Sequence, residues 1–379
     1  MLSLINKDRI VNEFMELVRI DSLTYNERKM ADKLKLKLNE MGLEVIEDNA
    51  GELIGGNAGN LICTFKGTKI STGDKKVSPI LLMAHMDTVT PGLGKKPVIV
   101  GDLIKSDGTT ILGGDDLAGV SSILEAIRVV IENDIEHGDI EIVFSVAEEG
   151  GLWGAKNLDY SKITSKFGFV FDSGGEIGSV AVIAPSQNRI KVVVYGKAAH
   201  AGIEPEQGIS AIQIAASAIS KMKLGRIDAE TTANVGIING GQATNIITDR
   251  VEIEAEARSR SELKLQQQTE HMKECFKHAA AAFGGSVDFE VDMMYPAFNI
   301  KENDKIIDFL KKASKEIGVE LILEATGGGS DTNVLNGKGI QAVDMGIGMQ
   351  KVHCVEEQIH IEDLIKSAEF IVAIIKNIE

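Results

Sequence analysis

Apolar runs that each end in a polar residue limit the possible folds of this chain more than any other feature. They are NLICTF, PILLMAH, IEIVFSVAE and FGFVFDS, and the amphipathic segment DLAGVSSILEAIRVVIEN lies between the second and the third. Strands that are apolar on both faces are typical of sheets covered by helices on both sides, and such sheets are mostly parallel. The pattern predicts an α/β fold with a mostly parallel sheet flanked by helices.

From about residue 186 the pattern changes to strand, helix, strand, strand, helix, strand. The segments are RIKVVVYG, ISAIQIAASAISKMK, ANVGIIN, RVEIEAEARS, SELKLQQQTEHMKECFKHAAAAF and SVDFEVDMM. This order is that of the ferredoxin-like, split-βαβ arrangement. We predict a catalytic α/β domain built from residues 1–184 and 295–379, with a ferredoxin-like α+β lid domain inserted at 185–294. An exposed turn is predicted at 71–76.

Composition excludes several classes of protein. Hydrophobic residues make up 44% of the chain and charged residues 25%, which is an ordinary globular composition. The 56 acidic and 40 basic residues leave a formal charge of -16, which repels phosphate backbones. We therefore predict no nucleic-acid partner. No apolar run approaches the ~20 residues that span a bilayer, so no membrane partner is predicted.

The first residues of the chain do not read as a secretory signal. Lys7, Asp8, Arg9 and Glu13 interrupt the stretch that such a signal needs to be apolar. The three cysteines share no close spacing, as expected in a reducing compartment. These features predict a cytoplasmic protein.

Two acidic motifs follow the second apolar run. In AHMDTV, Asp87 lies two residues after His85, so it can accept a hydrogen bond from the imidazole and leave the other ring nitrogen for a metal. In ILGGDDLAGV, Asp115 and Asp116 lie where a helix begins. Either they cap that helix, or Asp115 is a carboxylate shared between two cations. A solvated strand end likewise accounts for the first motif.

The motif AEEGG places two acids side by side. Adjacent residues on a strand point to opposite faces, so a continuous strand would bury one of the two carboxylates. Burying it charged and unpaired would cost on the order of several kcal/mol. A strand that breaks at Gly150 and Gly151 lets both carboxylates reach one site. Glu149 would then bind a metal, and Glu148 would hold an attacking water.

Two further motifs complete a candidate metal site. FDSGG supplies Asp172 at a strand end, and KVHCVEE supplies His353 near the end of the chain. Mixed nitrogen and oxygen ligands, with a carboxylate available to bridge, suit a pair of zinc ions ~3.5 to 4 Å apart. We expect these residues to meet where the strands end, because ligands bind there in sheets of this kind.

The order HMD, GGDD, AEEGG, FDSGG, VHCVEE resembles the dinuclear zinc metallopeptidases, the family of peptidase T, carboxypeptidase G and the aminoacylases, and its peptidase T-like members most. The resemblance implies two Zn²⁺ per subunit, with Co²⁺ or Mn²⁺ as possible substitutes. It implies one metal bound by His85, Asp115 and Asp172, and a second by Asp115, Glu149 and His353. It also implies Glu148 as the general base and Asp87 as the residue that orients His85.

The resemblance extends to the inserted domain. AAHAG implies that His200 stabilises the oxyanion, usually from a partner subunit, and hence a homodimer formed through this domain. NIITDR, EARSR and GGGSD imply substrate contacts by Asn245, Arg258, Gly328 and Gly329. Without the resemblance, His200 reads as an exposed histidine and Arg258 as a solvated strand charge. GGGSD lacks the lysine and the spacing of a P-loop.

The implied activity is that of a tripeptide aminopeptidase acting on short peptides. The alternative within the family is a carboxypeptidase or a deacylase of N-acyl amino acids, and the alternative outside enzymes is a metal-binding protein without catalysis. A chain of that last kind should lack the base or a metal ligand, and this chain lacks none. Leu117 stands where many relatives carry a lysine, which leaves the ligands intact.

Overall fold

The structure is a computed structural model that describes residues 4–69 and 77–378, so the turn predicted at 71–76 lies outside the described residues. The chain forms two compact units. The first comprises Met1–Val182, Asn299–Ala325 and Ser330–Glu379, and the second comprises Ile183–Phe298 and Thr326–Gly329. The domain bounds given above, with an insertion at 185–294, stay a prediction.

Strands and helices are numbered in chain order. The strands are β1 Val45–Glu47, β2 Leu61–Phe65, β3 Ile80–His85, β4 Val98–Val100, β5 Leu103–Lys105, β6 Ile140–Ser145, β7 Phe167–Ser173, β8 Ser179–Ala184, β9 Ser186–Tyr195, β10 Gly225–Arg226, β11 Thr231–Gly240, β12 Arg250–Ser259, β13 Ser286–Tyr295, β14 Phe298–Asn299, β15 Ile322–Ala325, β16 Gln341–Gly346 and β17 Gln358–His360. The helices are α1 Lys7–Leu17, α2 Arg28–Glu40, α3 Ala50–Ile54, α4 Gly114–Glu132, α5 Trp153–Lys156, α6 Ala211–Lys221, α7 Glu262–Phe283, α8 Lys305–Ile317, α9 Asp331–Gly337 and α10 Ile361–Asn377.

The first unit is built on a sheet with a parallel centre. Its strand order is β1-β2-β6-β3-β7-β16-β8-β14. Neighbours from β6 to β16 pair in parallel. The strands β1, β2 and β8 pair antiparallel with their neighbours, so the parallel pairing ends toward the edges. The predicted α/β class with a mostly parallel sheet is confirmed.

The central strands are covered by helices because they are apolar on both faces. Every residue of β3 and β6 is buried. Helix α4 packs on β3 and β7, and α1 and α10 pack on α4 in turn. Since both faces of the sheet centre are covered, the strand ends are where polar groups can gather.

The parallel pairing sets the position of the candidate site. His85, the last residue of β3, pairs in register with Ser145, the last residue of β6. Strand β7, which carries Asp172, lies on the other side of β3. The carboxyl ends of three neighbouring strands therefore meet at one edge of the sheet.

The second unit is an antiparallel sheet in the order β10-β11-β12-β9-β13. Its strand β12 alternates buried and less buried residues, as one half-covered strand should. Helices α6 and α7 pack on the buried face, around a core that includes Ile190, Val192 and Phe276. Apart from the two-residue strand β10, this is the ferredoxin-like arrangement, and the prediction of an inserted α+β domain is confirmed.

Short elements escape the sequence pattern. A three-stranded sheet of β17, β5 and β4 was not predicted, because strands of three residues are too short to show a periodicity. Among residues 4–69 and 77–378 we find no helix with the length and apolar character that a membrane crossing requires.

Candidate metal centre

Three predicted ligands meet at the carboxyl edge of the first unit's sheet. The Nε2 atom of His85 lies 3.1 Å from Oδ1 of Asp115 and 3.4 Å from Oδ1 of Asp172. His85 is buried, with 2% of its surface exposed. A single cation bound among these three side chains could take the place of the nitrogen–oxygen contacts between them.

The other two predicted ligands contact each other, and His353 also reaches the Asp115 carboxylate. Nε2 of His353 lies 2.7 Å from Oε1 of Glu149 and 3.1 Å from Oδ2 of Asp115. The two oxygens of Asp115 therefore face two different histidines, which is the geometry of a bridging carboxylate. The structure brings all five predicted ligands together, while the roles of the individual residues stay predictions.

The charges in this cluster are unbalanced. Burial, together with the charge of Asp172, raises the pKa of Glu148 well above its ordinary value. Burial likewise raises the pKa of Asp172. Hydrogen bonds to Asp115 and Glu149 raise the pKa of His353 to about 10. Acids that resist ionisation beside histidines that retain protons indicate an excess of negative charge, which a divalent cation would neutralise.

The donor set fits such a cation. His85, Asp115 and Glu149 offer ligand atoms that all lie within 4.8 Å of one another, and His85, Asp116 and Asp172 do the same. Imidazole nitrogens with carboxylate oxygens are ligands that zinc accepts. The sheet edge and this cluster thus define a divalent metal centre.

Asp116 is less available as a ligand than Asp115. Its carboxylate accepts hydrogen bonds from the backbone amides of His85, at 3.2 Å, and Gly119, at 3.1 Å. The bond from Gly119, three residues along, satisfies an amide at the start of the regular part of α4, because Asp115 and Asp116 themselves have non-helical backbone angles. The sequence offered helix capping and metal bridging as alternatives for this aspartate pair. In the structure, Asp116 behaves as a capping residue and Asp115 faces the two histidines.

Asp87 contacts Nδ1 of His85 mainly through its backbone carbonyl. Nδ1 of His85 lies 3.0 Å from the carbonyl oxygen of Asp87 and 3.4 Å from its carboxylate. A proton on Nδ1 that is donated to this carbonyl leaves Nε2 free for a metal. The Asp87 carboxylate accepts from the amides of Glu148, at 3.0 Å, and Glu149, at 3.3 Å, and from the hydroxyl of Thr24, at 2.8 Å.

The paired glutamates lie on a turn after β6. The strand ends at Ser145, and Ala147 has a positive φ of 48°. Adjacent residues outside a strand need not point to opposite faces, so Glu149 reaches His353 while Glu148 stays buried, with 8% of its surface exposed. Strand β6 therefore ends several residues before Gly150 and Gly151, where the sequence predicted the break.

Sequence reasoning missed the buried acids that hold the ligand-bearing turns. Glu27 accepts from the amide of Ala147 at 3.1 Å, and Asp344 accepts from the amide of Asp172 at 3.2 Å. Glu357 accepts from the amide of Asp115 at 3.0 Å. A signal was present for Asp344, because an acid within the apolar strand QAVDMG needs donors to offset its burial.

Five predicted residues belong to the second unit. His200 is exposed, and its Nδ1 accepts from the amide of Gly202 at 3.2 Å. The backbone carbonyl of Asn245 accepts from the amide of Ala201 at 2.9 Å, so Asn245 lies beside the His200 segment. Arg258 donates from Nε and Nη2 to the carboxylate of Glu256, at 3.0 Å each.

The glycine-rich loop of this unit contains the remaining two. Gly328 is exposed. A Cβ atom at Gly329 would lie 2.3 Å from the ring of Tyr295, so only glycine fits there. Contacts of these residues with a substrate stay predictions.

Comparison with known proteins agrees with the fold and the metal centre. The chain matches the model of the Peptidase family M20/M25/M40 over residues 81–377. It is 48% identical over 373 residues to the YqjE protein of Bacillus subtilis (strain 168), covering 98% of this chain and 99% of that one.

Two solved structures match nearly the whole chain. Aminopeptidase PepT from Bacillus cereus ATCC 10987 superimposes with a TM-score of 0.90 at 48% identity, covering 99% of each chain. A tripeptidase from Staphylococcus aureus subsp. aureus Mu50 superimposes with a TM-score of 0.93 at 41% identity, covering 98% of each. The chain belongs to peptidase family M20/M25/M40. It is a metallopeptidase with a divalent metal cofactor, and the family resemblance inferred from its motifs is confirmed.

Proposed function

We propose that this chain is an aminopeptidase that hydrolyses tripeptides and similarly short peptides with two divalent ions, zinc foremost. The observation that carries the proposal is the Asp115 carboxylate lying between His85 and His353, with Glu148 buried beside the cluster and outside the ligand set. The names of the two solved structures, an aminopeptidase and a tripeptidase, support the substrate class. Co²⁺ or Mn²⁺ are possible substitutes for zinc.

The residues divide between binding ions and moving a proton. His85, Asp115 and Asp172 would hold one ion, and Asp115, Glu149 and His353 the other. Bound there, divalent ions lower the pKa of water toward ~7 and polarise a carbonyl group. Glu148 accepts the proton of the attacking water and then passes it to the leaving amine.

Residues of the inserted domain would bind the substrate. His200 donates a hydrogen bond to the oxyanion that develops during attack. Arg258 anchors the carboxylate of the peptide, a task suited to a guanidinium, while Asn245, Gly328 and Gly329 contact the rest.

We further propose a homodimer formed through the inserted domain. Strand β10 pairs only with Thr232 and Ala233, so the later part of β11 is a sheet edge within the described residues. Ile237 and Ile238 on this edge expose 47% and 53% of their surface. An apolar edge strand favours pairing with a second strand, here that of another copy. We also propose the cytoplasm as the location of the protein. The three cysteines are free, as suits a reducing compartment.

Replacing Glu148 with Gln should separate catalysis from metal binding. The variant should retain both ions and lose turnover by ~100-fold or more, because an amide cannot accept the proton of the water. Glu149→Gln is the matched control, since it should lose affinity for one ion. Elemental analysis and hydrolysis rates measure the two effects. Wild-type turnover in Glu148→Gln would show that the base is a different group.

A substrate panel distinguishes aminopeptidase from deacylase. The panel contains a tripeptide, the same tripeptide with a blocked amino group, and an N-acetyl amino acid. We expect hydrolysis of the free tripeptide, with kcat/KM at least ~10-fold above that of the others, because each lost charge contact costs at least about 1.4 kcal/mol. Hydrolysis of the blocked compounds alone would favour the deacylase.

Complementation tests whether His200 acts across a dimer. His200→Ala and Glu148→Gln should each be nearly inactive as purified homodimers. Mixed after dissociation and reassociation, they form heterodimers in which one site has Glu148 from one chain and His200 from the other. Activity should rise well above that of either variant alone. No gain in the mixture, with heterodimers verified by mass spectrometry, would contradict the role of His200 in a partner's site.

A further inference from the structure

Glu357 joins the two segments that approach the centre of the metal site. Its Oε1 accepts from the amide of Asp115 at 3.0 Å, and its Oε2 accepts from the amide of Gly113 at 2.7 Å. It follows His353 by four residues in the same loop. One carboxylate therefore fixes the backbone that bears the bridging aspartate to the loop that bears its histidine.

The turn that leads into the regular part of α4, ahead of the amide that Asp116 caps, needs a second acceptor. The first amides of a helix have no partner within it, and a capping side chain usually accepts from them. The residue at the cap position, Gly113, has no side chain, and the backbone at Asp115 departs from helical angles. Glu357 supplies this acceptor for the amides of Gly113 and Asp115 from a distant part of the chain. Its side chain is buried, with 1% of the residue exposed.

Glu357 is itself held at both ends of its backbone. Its amide donates to the carbonyl of Cys354 at 3.1 Å, and its carbonyl accepts from the amide of Ser106 at 3.1 Å. It also directly precedes β17, which pairs with β5. A carboxylate on so well anchored a backbone has a fixed reach, so the position of Asp115 depends on the length of this side chain.

We propose that Glu357 is a positioning residue of the metal centre, which sets the Asp115 carboxylate between His85 and His353 by holding its backbone amide. The inference rests on the metal site of the proposed function and on no particular substrate. It predicts that the reach of the Glu357 carboxylate, as well as its charge, sets the affinity for the metal.

Zinc affinity of the full chain, measured by competition with a chromophoric chelator, tests this proposal. Glu357→Gln keeps the length and can accept at one atom only, while Glu357→Asp keeps the charge and is too short to reach both amides. Both should bind Zn²⁺ ~10- to 100-fold more weakly, as is usual when a residue that orients a ligand is changed. Should Glu357→Gln fail to fold, judged by circular dichroism, Glu357→Asp decides the question.

Glu141→Gln is the matched control. Glu141 is also buried, at 2% exposure, and its carboxylate also accepts from two amides, those of Thr164 at 2.8 Å and Ser165 at 3.0 Å. It lies at the end of β6 away from the site. This variant should lose stability while it binds Zn²⁺ like the wild type.

Three results would overturn the proposal. The first is wild-type Zn²⁺ affinity in both Glu357 variants. The second is wild-type Zn²⁺ affinity in Glu357→Asp alone, because charge and not reach would then be the cause, and the third is an equal loss of Zn²⁺ affinity in Glu141→Gln. The readout needs no turnover. A wild-type chain that binds two Zn²⁺ and hydrolyses no peptide would defeat the proposed function and leave this inference standing.

Discussion

Negative charge gathered at one edge of a parallel sheet is the constraint on which the rest of the structure depends. Three parallel strands end there, and Asp172 near the end of β7, Glu148 and Glu149 in the turn after β6, and Asp115 at the start of α4 gather at this edge. Carboxylates this close repel one another, and the shifted pKa values of Glu148 and Asp172 report that repulsion together with burial. The fold therefore creates an excess of negative charge that a bound divalent metal would neutralise.

The backbone holds this unfavourable arrangement in place. The segments that bear His85, Asp115, the paired glutamates and Asp172 each donate a main-chain amide to a buried carboxylate. These pairs are His85 to Asp116, Asp115 to Glu357, Glu148 and Glu149 to Asp87, and Asp172 to Asp344. Amide donors offset the burial of these acids, and the acids fix the turns in return. The ligand geometry thus depends on hydrogen bonds to the backbone as much as on the ligand side chains.

Sequence patterns predicted the longer strands and the site residues, because apolar runs and clustered polar motifs are visible in the sequence. Apolar runs predicted β3, β6 and β7, the strand and helix order from about residue 186 predicted β12, and the polar residues that end the runs predicted the site. The partners of the ligand turns were not predictable in this way. Glu357 and Asp115 are 242 residues apart, and no local pattern shows that one accepts from the other. The sequence also did not show that the Asp87 carboxylate accepts from the amides of Glu148 and Glu149. An acid two residues after a histidine can bind several different donors, and the sequence does not indicate which.

An X-ray structure of crystals grown with zinc, with anomalous data collected above the zinc edge, tests the central claim most directly. Our account predicts two anomalous peaks ~3.5 to 4 Å apart, with the carboxylate of Asp115 in contact with both and a histidine beside each. Peaks that lie away from His85 and His353, or a single ion with Asp115 on one side of it, would contradict the account.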